Sequence, residues 1–137
     1  MDAAIKSHLC DLGIELMDTE HRALVTLFDA FVTCIRKDEP REVADSLVQQ
    51  AIACANGHFE HEEQLMAQTA YPQIEDHKFR HRNLRLQFTT LIGDTVAVKA
   101  HDPVTLEHLD VMRDLLEDHI SGPDRTLAAH LKAAGLK

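Results

Sequence analysis

The sequence predicts an all-α domain: an up-down-up-down antiparallel four-helix bundle with a short C-terminal helix. Three observations predict it. Five Gly and four Pro in 137 residues are too few for a many-turned β domain. No stretch sustains an alternation of apolar and polar residues, whereas apolar residues recur at spacings of three and four. The periodic segments are long and their connections short, which favours antiparallel neighbours. A 137-residue chain with 45% hydrophobic residues supplies one modest core, and no repeat or low-complexity linker divides residues 1–137 into more than a single domain.

The first helix, about 12–37, carries Ile14, Met17, Leu24, Val25, Phe28, Phe31, Val32 and Ile35 on one face, and Asp38-Glu39-Pro40 stops it. The second, about 41–69, places Val43, Leu47, Ala51, Cys54, Leu65 and Met66 on a stripe. It ends at Tyr71-Pro72, where the residue before proline is pushed out of the α region. The third, about 73–100, runs through Ile74, Leu84, Phe88, Leu91 and Ile92. The fourth, about 103–120, opens with Asp102 as N-cap and Pro103 at the first helical position, and buries Val104, Val111, Met112, Leu115 and Leu116. A terminal helix, about 124–134, completes the chain.

A formal net charge of -9 repels extended polyanions and argues against nucleic acid as a partner. The apolar runs are too short for a membrane span, and the first residues lack a basic segment followed by an apolar run. Cys10, Cys34 and Cys54 are odd in number and form no CxxC pair, which fits a reducing compartment. The expected location is the cytoplasm. Cys34 and Cys54 read as small core residues.

Ten histidines are the unusual feature of the composition. His21 falls four residues after Met17 and three before Leu24, so it points inward. His58 lies four after Cys54, and Glu62 four further on shares its face, because four residues turn a helix by about 400°. His77 and His81 repeat that spacing on the third helix, and His119 follows Leu116 by three on the fourth. Taken singly, an inward histidine in a bundle is more often a hydrogen-bonded core residue than a ligand, and HxxxE or HxxxH alone is a weak pattern.

Height decides between these readings. With turns near 39, 71 and 101, His21 and the His58/Glu62 pair lie about 18 and 21 residues from the first turn. At 1.5 Å per residue they are level to within about 5 Å. The His77/His81 pair and His119 fall in the same layer by the same count. Five imidazoles and a carboxylate buried in one slice of a core would cost several kcal/mol unpaired; a bound metal removes that cost.

Asp124 is five residues after His119, about 140° away on a regular helix. Pro123 clashes with the carbonyl of His119 and has no N–H, and an extra residue in the turn, as in a π-bulge, brings Asp124 back beside His119. The alternative is that the fourth helix ends near Ile120 and Asp124 caps the terminal helix.

The order H, HxxxE, HxxxH, HxxxxD, in MDTEH, HFEHE, HKFRH and HISGPD, resembles the hemerythrins, specifically the single-domain bacteriohemerythrins. The resemblance implies two non-haem Fe ions with an oxo or hydroxo bridge that bind O2 reversibly. His77, His81 and His119 would hold one iron and His21 and His58 the other, with Glu62 and Asp124 bridging both. Two ferrous charges against two carboxylates and one hydroxide leave a nearly neutral centre. Leu116 matches the family leucine over the O2 site, and Leu24, Phe59 and Leu65 are further candidates for its lining. The chain departs from the family in having no Trp, with Leu115 where one is common.

The expected function is oxygen carriage, storage or local supply, with an oxygen-consuming client or a reductase as possible partner. The alternatives are an enzyme reducing O2, nitric oxide or peroxide at the same centre, an oxygen or iron sensor, and a structural zinc site. His8, His61, His101, His108 and His130 read as surface residues or as supports behind the ligands. Glu63, Glu117 and Asp118 read as a solvated face.

Overall fold

The computed structural model describes residues 5, 7–96 and 103–137. After a 3-10 turn at Ser7–Cys10, five α-helices follow: α1 (Glu15–Arg36), α2 (Arg41–Gln68), α3 (Ile74–Val96), α4 (Pro103–His119) and α5 (Arg125–Ala133). A π-helical turn, Ile120–Asp124, joins the last two. No strand occurs among the described residues. Helices α1 to α4 pack together as a bundle, each against its successor in the chain, while α5 folds back on α2. The expected continuation of the third helix to residue 100, His101 and the Asp102 cap lie outside the described residues.

Two turns set the antiparallel course. Asp38 (φ 53°) and Ala70 (φ 53°) take the left-handed conformation that ends a helix. Behind each, the chain closes a wide hydrogen-bonded loop, Glu39 N–H to Cys34 O (3.1 Å) and Tyr71 N–H to Met66 O (2.9 Å).

The N-terminal segment is clasped by Asp18, whose carboxylate accepts the N–H of Leu12 (2.9 Å) and of Gly13 (3.0 Å). Gly13 sits at φ 91°, a conformation strained for any residue with a Cβ. Asp18→Ala strands both donors and is expected to lower stability by about 1–3 kcal/mol. A drop in thermal midpoint with unchanged metal stoichiometry checks this.

Part of the core lies at the end of the bundle where α2 turns into α3. There Met17, Met66, Ile120, Leu127 and Leu131 are fully buried. Two stripe residues are corrections: Val43 is 41% and Val111 45% exposed. Their neighbours Ala44 and Met112 take the inward positions, and consecutive helical residues point about 100° apart. Leu65 and Leu115 are half-buried, as is Cys54, while Cys34 is buried.

Candidate metal centre

All four bundle helices and the π-helical turn contribute to one buried cluster. His21 comes from α1, His58 and Glu62 from α2, His77 and His81 from α3, His119 from the last residue of α4, and Asp124 from the end of the turn. All seven are buried, Glu62 and Asp124 completely. The π-helical turn contains Pro123 and spends one extra residue per turn, which swings Asp124 back to within 3.2 Å of the His119 ring.

The carboxylates stand between two sets of imidazoles. Glu62 Oε1 lies 3.1 Å from His77 Nε2 and 3.0 Å from His81 Nε2, while its Oε2 lies 2.8 Å from His58 Nε2 and 3.6 Å from His21 Nε2. Asp124 Oδ1 lies 3.1 Å from His77 Nε2 and 3.2 Å from His119 Nε2, and its Oδ2 lies 2.9 Å from His21 Nε2. Two overlapping donor groups result: Glu62, His77, His81, His119 and Asp124 in one, His21, His58, Glu62 and Asp124 in the other. Within each group the donor atoms lie within 4.8 Å of one another, and both carboxylates belong to both groups.

The donor set fits metal ions, as its own unsatisfied atoms show. His21 Nδ1 and Nε2, His58 Nε2, His119 Nε2, Glu62 Oε2 and both Asp124 oxygens are buried without a hydrogen-bond partner, despite the short distances between them. Buried polar atoms are rarely left so, and imidazole with carboxylate is a donor set suited to iron or zinc. The chain thus carries a metal-binding site.

Charge is shared tightly in this cluster. Burial opposes a positive His21 and His77, but the adjacent Asp124 and Glu62 carboxylates outweigh it and lift each from 6.5 to about 9. His58 is raised likewise: burial is overcome, chiefly by Glu62. Burial pushes Glu62 up, yet His58, His21 and His77 hold it well below the carboxylate range. Asp124 is pushed up by burial and by Glu62, but His119 and His21 hold it low.

Two residues behind the cluster were not legible as part of it. Glu20 Oε1 meets His58 Nδ1 at 2.9 Å, and its other oxygen meets the exposed His61. Glu63, read from the sequence as a solvated face, instead meets His81 Nδ1 at 2.9 Å through Oε2. A carboxylate accepting the Nδ1–H fixes the tautomer that aims the Nε2 lone pair at a metal. The one available clue was that each sits beside an inward ligand, at the edge of the stripe. Glu63→Ala is expected to weaken metal binding about 10–100-fold, measured by competition with a chelator, with little change in the helix content of the metal-free chain. Of the remaining histidines, His130 Nε2 meets the Thr69 carbonyl at 3.0 Å, His8 is exposed and His108 half-buried.

An apolar cavity of about 180 Å³ adjoins the cluster on the side away from the α2–α3 turn. Leu24, Phe59 and Leu116 line it, and His21, His58, His119 and Asp124 face its inner end. Leu65 is not among its lining residues and packs against the hydrophobic core.

Comparison with known proteins agrees with this arrangement. Residues 12–131 match the Hemerythrin HHE cation binding domain family. The chain is also similar to a Bacteriohemerythrin of Stenotrophomonas maltophilia (strain R551-3), 26% identical over 127 residues that cover 90% of this chain and 78% of that protein. With the match spanning all four bundle helices and every residue of the buried cluster, the chain belongs to the hemerythrin family of cation-binding domains.

Proposed function

We propose that the chain is an oxygen-binding protein whose cluster holds two non-haem iron ions. His77, His81 and His119 would hold one, His21 and His58 the other, with Glu62 and Asp124 between them. When bound, the iron pair would supply the electrons for reversible uptake of O2.

The observation that carries this reading is the unevenness of the two donor groups together with the place of the cavity. Three histidines serve one group and two the other, and both histidines of the smaller group face the apolar cavity. Of the larger group only His119 does, while His77 and His81 do not. The less saturated side therefore opens toward apolar space, where a small apolar gas partitions favourably and water finds few partners. Phe59, stacked on the His81 ring at 4.1 Å between centroids, and Leu116 hold water away from the imidazoles. Glu20 and Glu63 keep the tautomers of His58 and His81 fixed while the charge of the centre changes.

The test loads the chain anaerobically with ferrous iron, exposes it to O2 and then purges the gas. Visible absorption that appears with O2 and disappears on purging over repeated cycles is the expected result. Irreversible oxidation accompanied by consumption of added peroxide would replace carriage with the enzyme reading.

A further inference from the structure

The cavity is larger than a diatomic gas requires. An apolar cavity of about 150 Å³ is enough to hold benzene, and this one measures about 180 Å³. Ala51 and Ala55 on α2 face it with little side-chain volume. Its exposed lining residues are Ile52 and Asn56 on α2 and Arg85 and Thr89 on α3, so the mouth lies between these two helices.

Arg85 gives that mouth a charge. Its guanidinium lies over the Phe59 ring, 5.4 Å from the centroid, and no carboxylate pairs with it among the described residues. Among the described residues that line the cavity, Arg85 is the only lysine or arginine. Apolar space behind a single unpaired cation is complementary to an anion with an apolar tail.

We propose that the cavity binds a free aliphatic monocarboxylate, its chain inside and its carboxylate on Arg85. At roughly 30 Å³ per carbon-sized group the space takes about six, so an acid of about six to eight carbons fits with its head at the mouth. The opposite orientation would bring a third carboxylate toward Glu62 and Asp124. A bound tail ends beside His21 and His119, in the volume through which a gas would reach the centre, so the acid regulates access to it. Binding requires no metal, and its failure is separate from a failure of the oxygen reading.

Isothermal titration of the full chain with octanoate, in the metal-free and metal-loaded states, tests this. Saturable one-to-one binding in both states is expected, with no binding of acetate. Arg85→Gln should weaken octanoate about tenfold or more, octanol should bind wild type correspondingly less well than octanoate, and Ala51→Phe should abolish binding by filling the space. Phosphatidylglycerol vesicles, which present a similar head and tail chemistry within a bilayer, should not retain the chain. Absence of octanoate binding, octanol binding as tightly as octanoate, unchanged affinity in Arg85→Gln, or vesicle retention that depends on Arg85 would each overturn the proposal.

Discussion

Asp124→Ala is expected to cost the chain both metal ions. The Asp124 carboxylate presents one oxygen toward His77 and His119 and the other toward His21, so its removal strips a donor from each group at once. The loss should exceed the roughly 10–100-fold effect of a supporting residue such as Glu63. His119→Ala removes a donor from the larger group alone and should empty that position while the other retains affinity. Metal analysis after equilibrium dialysis separates these outcomes: near zero ions per chain for Asp124→Ala, with His119→Ala in between. Equal losses in the two variants would contradict a carboxylate shared between two positions.

Raising the pH from 6.5 to above 9 should destabilise the metal-free chain and strengthen metal binding. His21 and His77 are lifted from 6.5 to about 9 in the fold, against burial, by Asp124 and Glu62. A group whose pKa is raised by folding stabilises fully below its unfolded value, and that contribution is lost as pH climbs through the folded value. For these two histidines the window is 6.5 to about 9, at on the order of 3 kcal/mol each. The thermal midpoint of metal-free protein should fall by roughly 10 °C or more across it.

Metal binding runs the other way, because a metal takes the lone pair that the proton occupies. Loading near pH 7.5 should release at least about two protons per chain, from His21 and His77 with a further contribution from His58, and loading above pH 9.5 far fewer. Glu62 and Asp124, held below the carboxylate range, stabilise above the ordinary carboxylate pKa and lose that contribution only as pH falls through their lower folded values. Thermal melts across pH, paired with proton release in weakly buffered solution, check both limbs. A metal-free midpoint that rises from pH 6.5 to 9 would contradict the charge state assigned to the cluster.

The bundle and the clustering of the seven buried residues were legible because both follow from the helical repeat. Inward direction follows from spacing to Met17, Cys54, Leu84 and Leu116, and height from counting residues to the turns. Pro123 made an irregularity near Asp124 legible, but left open whether the helix bulges or ends near Ile120; the structure takes the π-helical turn. Glu20 and Glu63 were not, since one step along a helix is about 100° and places them where a solvated acid is the ordinary occupant. Val43 and Val111 misled for the same reason, each adjoining a residue that does face inward. The cavity was invisible to periodicity. Leu24, Ala51, Phe88 and Leu116 all lie on apolar stripes, and the space among them depends on how closely four helices approach.

The most direct measurement is anomalous diffraction at the iron edge from crystals of the chain loaded anaerobically with ferrous iron. Two peaks are predicted inside the bundle, one beside His77, His81 and His119 and one beside His21 and His58, each in contact with both Glu62 and Asp124. A single peak, or a pair in which either carboxylate touches only one ion, would contradict the account.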